Sequence, residues 1–511
     1  MNRSLFTLLF FFLVVPSMQG QQNEYHNPVI RGDVPDPSIL RIDDTYYATG
    51  TSAEWAPQYP VFVSKDLINW KQTGHIFQEV PEWTSQSFWA PELYYYNNKV
   101  YCYYTARRKS DGTSYIGVAV ANSPTETFTD HGLLVEYGTE AIDASVYNDN
   151  GQLYISWKAY GLDNRPIELL GSKLSSDGLK LEGEPFSLLK DDEGKGMEGQ
   201  YHFKKGDYYY LIYAAHSCCG PLSDYDVYVA RSKDFKGPYE KYEGNPILYG
   251  GERDFQSCGH GTIVVTPDDR LFYLCHAYLP EAGFYAGRQP ILQEIGVGED
   301  NWLHFKTGTV AQIKQPVPFK GTKQESNFDF KDEFKDESLK VDWTWSFPFS
   351  DPQINIGNGK LYLSGNPKGS NQYGTALCVR ANSPHYTYET QNVNPNKSIG
   401  GLTMYGDDKN LIIWGTTNNK LQLKLVEEGK ETILFEHSLA QPSVFLKIEV
   451  TEGCHSDFYW SSNGKKWSKV DTPTINFKKL VRWERVPRPG LIHIGDSTYP
   501  VEFSYFKLEN I

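Results

Sequence analysis

The sequence predicts an all-β protein: a five-bladed β-propeller followed by a β-sandwich of jelly-roll, concanavalin-like type. Three observations predict it. The chain is rich in strand-favouring aromatics, with 36 Tyr, 27 Phe and 12 Trp against 4 Met, and its 44 Gly and 29 Pro supply turns. A pattern of short strands repeats five times over the first 320 or so residues. The pattern then stops, and strand-like alternation continues without it.

The N-terminus comes first. Arg3 precedes an apolar run from Leu5 to Val15, and Pro16-Ser17-Met18-Gln19-Gly20 follows. A basic start, a short apolar core and small residues afterwards make a signal peptide over 1–20, which implies a secreted or periplasmic protein. The run is shorter than the ~20 residues a membrane span needs, and no other stretch is a candidate span. The mature chain is expected to begin near Gln21 or Gln22.

The propeller is expected over 21–318. Its units open at Asp36-Pro37-Ser38, Ala90-Pro91-Glu92, Asp143-Ala144-Ser145, Glu198-Gly199-Gln200 and His260-Gly261-Thr262, spaced 54, 53, 55 and 62 residues apart. Each opening leads into an apolar strand and a polar turn, such as Asn97-Asn98 or Lys205-Gly206-Asp207, and then into an aromatic second strand. Later echoes, Phe62-Val63-Ser64 and Val227-Tyr228-Val229 among them, bring each unit to about four strands, the size of a propeller blade. Residues 319–326 read as a polar linker. The remainder, 327–511, alternates as in Leu421-Gln422-Leu423-Lys424-Leu425, which fits half-buried sandwich strands. No long amphipathic helix is predicted.

Net charge is −14 with no long basic run, which argues against nucleic acid as a partner and against an acidic polysaccharide as the main ligand. Seven scattered cysteines do not suggest a dense disulfide framework or a zinc site. The adjacent Cys218 and Cys219 leave two readings open, a vicinal disulfide or two packed thiols, with packing the simpler.

In a propeller the first strand of each blade lines the central axis, so equivalent positions converge at one end of the channel. On the spacing above those positions hold Asp36, Ala90, Asp143, Glu198 and His260. Three carboxylates brought together resist full ionisation. Glycoside hydrolysis requires one protonated carboxylic acid and one carboxylate, and a third acid can tune the first.

These residues resemble glycoside hydrolase family 43. The resemblance rests on Val34-Pro35-Asp36-Pro37-Ser38, Trp89-Ala90-Pro91-Glu92, Ala141-Ile142-Asp143-Ala144-Ser145, Met197-Glu198-Gly199, Gly259-His260-Gly261 and Gly287-Arg288, in that order over residues 25–318. It implies an inverting mechanism, with Asp36 as general base, Glu198 as general acid and Asp143 raising the pKa of Glu198. It implies substrate contacts from Trp89, Arg288 and Ser145, and a hydrated Ca2+ on the propeller axis beside His260. Phe328-Asp329-Phe330, Asp342-Trp343-Thr344-Trp345 and Pro487-Arg488-Pro489-Gly490-Leu491 resemble the jelly-roll domain appended to many β-xylosidases and arabinofuranosidases of that family. In such relatives a loop of this domain can close one side of the pocket.

The expected partner is an oligosaccharide or polysaccharide, and the expected activity is removal of terminal arabinofuranose; the Cys218-Cys219 pair resembles arabinan-acting members. A β-xylosidase or a galactose-releasing enzyme would use the same mechanism. Retaining β-fructosidases share the fold, but their Asn-Asp-Pro and Arg-Asp-Pro motifs are replaced here by Val34-Pro35-Asp36 and Ile142-Asp143-Ala144. A non-catalytic sugar-binding propeller would be expected to lack one of the three acids.

Overall fold

The computed structural model describes residues 24–159, 166–251 and 253–511. The expected signal peptide, 1–20, lies outside them. Five four-stranded antiparallel sheets follow one another along the chain. Their innermost strands are Ser38–Ile42, Thr84–Tyr96, Ala141–Asp149, Glu198–Lys205 and Ser257–Val265, and each packs against the next, the fifth against the first. This is a five-bladed propeller. Each blade is a meander of local hairpins, which is why its period was visible along the chain.

Side chains stitch the ring together. Thr262 Oγ1 accepts the Ile39 N–H at 2.8 Å and joins blade five to blade one. Ser38 Oγ accepts the Leu93 N–H at 2.9 Å, and Thr105 Oγ1 accepts the Asp143 N–H at 3.2 Å. The strand Glu24–His26 pairs with Lys314–Pro316, so the two ends of the propeller segment meet. Gln324 then bonds both the N–H and the carbonyl of His26, at 2.8 Å each, which ties down the segment between the two folds.

Four of the five inner strands carry an irregularity in their ladder. The ladders slip between Trp89 and Glu92, Ile142 and Ser145, Glu198 and Tyr201, and Gly259 and Gly261. At or beside each slip one residue takes a positive φ: Ala90 at 41°, Asp143 at 60°, Gly199 at 60° and His260 at 44°, with Asp36 at 51° in blade one. Such bulges re-aim side chains and concentrate near active sites. They also correct the expected register. The blade-four counterpart of Asp36, Ala90, Asp143 and His260 is Gly199, not Glu198. Glu198 stands one position earlier, where blade two has Trp89 and blade three has Ile142.

The C-terminal half is a sandwich of a nine-stranded and a six-stranded antiparallel sheet. Leu361, Leu402, Met404, Trp414, Leu446, Ile448, Phe503 and Phe506 fill the space between them. Among the described residues the only helices are short 3-10 turns at Glu281–Ala286 and Lys478–Leu480, and no helix is long and apolar enough to cross a membrane.

The two folds exchange aromatics. Trp345–Ser346 of the sandwich side pairs with Trp55–Ala56 of the propeller. Trp55 packs among Cys378, Tyr405 and Ile413, while Phe347 packs on Phe88 with centroids 5.6 Å apart. Arg488 lies over the Trp55 ring at 4.2 Å. Cys218 and Cys219 are joined by a disulfide, which replaces the simpler packing reading; the other five cysteines are buried thiols.

Candidate active site

The three acids do gather at one end of the channel. His260 Nδ1 lies 3.5 Å from Asp36 Oδ1 and 3.9 Å from Asp143 Oδ2. Asp143 Oδ2 accepts the backbone N–H of Gly199 at 3.0 Å, next to Glu198. Gln200 Nε2 donates to the Asp143 carbonyl and fixes the same bulge. Gly199 has no substitute here: a Cβ on it would sit 2.6 Å from His260 Cγ.

Asp36 is 9 % exposed and held from three sides. Thr51 Oγ1 donates to its Oδ2 at 2.6 Å and itself accepts the Ala90 N–H at 2.7 Å. Arg288 Nη1 is 3.4 Å from Oδ1, and His276 Nδ1 accepts the Asp36 backbone N–H at 3.0 Å. Burial pushes this carboxyl up, but the Arg288 guanidinium above all holds it well below the ordinary carboxylate range. Asp36 is therefore anionic in the free protein, the form in which a carboxylate can accept a proton.

Asp143 and Glu198 divide differently from expectation. Burial, reinforced by the Glu198 charge, pushes Asp143 up to about 6 against the pull of His260 and Lys158. Burial also pushes Glu198 upward, but Lys158 Nζ at 2.7 Å from Oε2 and the Tyr225 hydroxyl donating to Oε1 at 3.0 Å outweigh it, and Glu198 ends lower than usual. Burial raises Asp143 while Lys158 and Tyr225 lower Glu198, so the two acids shift in opposite directions rather than in the way the resemblance implies.

The other expected contacts fall in different places. Trp89 is half-buried at the mouth, with Arg107 5.6 Å from its ring centroid and Trp483 edge-on at 6.4 Å. Ser145 is 1 % exposed, with its Oγ sealed and unpartnered, so it has no surface to offer a sugar. Arg288 is 2 % exposed, and its guanidinium bridges two carboxylates instead of opening to the pocket.

Calcium, which the resemblance implies beside His260, takes about six to eight oxygen ligands. Among the described residues no three His, Cys, Asp or Glu side chains converge as a metal cage, and His260 faces two carboxylates already engaged by protein groups. The side chains alone do not supply a full set of oxygen ligands, and no step below runs through such an ion.

Four participants were not foreseen. Lys158 and Tyr225 flank Glu198, and His276 backs Asp36. A lysine inside the apolar run Leu153-Tyr154-Ile155-Ser156-Trp157 was a usable signal, since buried lysines are rarely idle. The fourth is Glu484, from the sandwich, whose carboxylate accepts Trp89 Nε1–H at 3.0 Å and Arg288 Nη2–H at 3.0 Å. Burial first, and then the Glu54 and Asp36 charges, push it up to about 7 against Arg288 and Arg485. Nothing in its local sequence marks it.

Buried acids gathered at the mouth of a propeller channel, each held by a different set of partners, are the equipment of a glycoside hydrolase. The chain belongs to glycosyl hydrolases family 43, whose family model matches residues 25–303; residues 331–483 match the β-xylosidase C-terminal concanavalin A-like domain. The chain is 26 % identical to a β-xylosidase of Bacillus subtilis (strain 168), covering 89 % of this chain and 92 % of that one. It is 27 % identical to the non-reducing end α-L-arabinofuranosidase BoGH43B of Bacteroides ovatus, covering 80 % and 79 %. Its fold matches the solved structure of the Bacteroides ovatus xyloglucan PUL GH43B with a TM-score of 0.82 at 22 % identity, over 96 % of this chain and 100 % of that one.

Proposed function

We propose that this hydrolase is an exported, inverting exo-enzyme that removes terminal arabinofuranose from plant polysaccharides or oligosaccharides. Asp36 is the general base and Glu198 the general acid. The observation that carries the assignment is that the acids gather but are held differently: Asp36 accepts from Thr51 with Arg288 at a longer 3.4 Å, whereas Glu198 is held by Lys158 and Tyr225 beside Asp143.

The reaction then follows from the groups present. Asp36 takes a proton from a water that attacks the anomeric carbon. Glu198 gives a proton to the departing glycosidic oxygen. That proton is drawn from the Asp143–Glu198 pair, so Asp143 acts as its reservoir, and Lys158 sets how much free energy the transfer costs. The loop carrying Trp483 and Glu484 stands against Trp89 and Arg288, which favours a closed pocket for a chain end over an open cleft. Export is supported by the 1–20 pattern and fits a disulfide at Cys218–Cys219.

β-Xylosidase action is the second reading, favoured by the near full-length match to a protein of that name. Incubation with nitrophenyl arabinofuranoside, xyloside and galactoside, with the released anomer followed by NMR, tests both. Arabinose released with inverted configuration is expected; net retention would contradict the mechanism. Mass spectrometry of exported protein should show a start near Gln21 or Gln22.

A further inference from the structure

Glu484 sits at the tip of a sandwich loop. Arg482 and Arg485 pair across that tip through backbone bonds of 3.0 and 2.7 Å. Arg482 anchors one side to Asp407 and Glu428 at 3.1 and 2.6 Å, and Arg485 anchors the other to Glu54 of the propeller at 2.7 Å. Trp483 takes a φ of 45°, a conformation unfavourable for a bulky side chain, and is 60 % exposed. Strain of this kind persists where the surroundings over-determine it. Here it turns the next residue inward: Glu484 is 5 % exposed and spends one oxygen on Trp89 and the other on Arg288.

Arg288 therefore stands between two carboxylates. It is 3.0 Å from Glu484 but 3.4 Å from Asp36, a long contact on the side of the base. A guanidinium without the second partner is free to close bidentately on Asp36, and a carboxylate so engaged is a poor proton acceptor.

We propose that Glu484 is a positioning residue for hydrolysis: it draws Arg288 off Asp36 and fixes the Trp89 wall, so the sandwich completes the site of the propeller. This rests on the reading of Asp36 as the base. Loss of Glu484 frees Arg288 to take over the Asp36 carboxylate and leaves the Trp89 indole N–H unpaired, which lowers turnover more than it weakens substrate binding.

The test compares full-length native protein with Glu484→Ala, Glu484→Gln, Gln72→Ala, Asp36→Asn and Glu198→Gln on nitrophenyl arabinofuranoside and xyloside, with unfolding temperatures measured alongside. Glu484→Ala should lose about tenfold or more in kcat with KM within about threefold. Glu484→Gln, which keeps an acceptor oxygen, should recover part of that loss. Gln72→Ala removes interdomain hydrogen bonds to Val341 and Arg380 without touching the Glu484 loop, Arg288 or Trp89, and should keep kcat within about threefold. The proposal is overturned if Glu484→Ala keeps native kcat, or if Gln72→Ala falls as far, since domain docking alone would then account for the loss. If Asp36→Asn and Glu198→Gln keep their turnover, the catalytic reading itself fails and this proposal goes with it.

Discussion

Lys158 Nζ lies 2.7 Å from Glu198 Oε2, with side chains only 10 % and 17 % exposed. A cation so close in a poorly solvated setting decides which member of the acid pair is charged. In the proposed mechanism the resting proton then lies on Asp143, whose Oδ2 accepts the N–H of Gly199, the chain neighbour of Glu198.

The first consequence concerns pH. Asp36 stays ionised throughout the accessible range, so no acid limb should appear in kcat/KM down to about pH 4. The pair must hold a proton, and Asp143 loses its own at about 6. Above that, kcat/KM should fall by about tenfold per pH unit. A profile flat from pH 5 to 9 would refute the shared-proton account.

Lys158→Met removes the cation that favours the charged pair. The pair should then keep its proton to higher pH, moving the alkaline limb up by about one unit or more. Unfolding measurements should also show a loss of stability below the new limb to be small and above it to be large, because Glu198 is then buried and charged without its partner. An unmoved limb would remove Lys158 from the electrostatics.

Glu198→Gln and Asp36→Asn should each lower kcat by about a hundredfold or more while leaving the fold and sugar binding intact. Calorimetry with arabinose or xylose oligosaccharides separates the two effects. A sugar-binding protein without catalysis would show no turnover in the native chain and no difference between variants.

Gly199→Ala places a methyl 2.6 Å from His260 Cγ on a residue with φ +60°. The backbone term alone costs about 1–2 kcal/mol, and the imidazole must move as well. Thermal unfolding should drop by several degrees and activity should fall with it, because His260 faces both aspartates. A variant with native Tm and kcat would show that the bulge tolerates a side chain.

Glu92 lies on the inner strand of blade two, where Ser38 Oγ donates to its Oε2 at 2.9 Å. Burial pushes its carboxyl up to about 8 from an ordinary 4.5. A raised folded-state pKa means full stability below 4.5 and loss as pH rises through 8. Glu92→Gln escapes that loss. It should match the native protein near pH 4 and exceed it at pH 9 by a margin on the order of a few kcal/mol. Parallel stability curves across this range would count against a buried proton at Glu92.

The five blades and the acids at 36, 143 and 198 were legible along the chain because a blade is built from neighbouring hairpins, whose hydrogen bonds and turns are encoded within about fifty residues. The same local reading misplaced Glu198 by one position, because a bulge is a property of two paired strands and leaves no fixed mark in either. It also put Ser145 and Arg288 against the substrate, where packing buries them. Lys158 beside Glu198, and above all Glu484 reaching Arg288 across 196 residues and Trp89 across 395, depend on how blades close and domains dock. Composition and periodicity determine that acids converge; only the packed chain decides which of them is charged, since that choice depends on burial and on partners brought from far along the sequence.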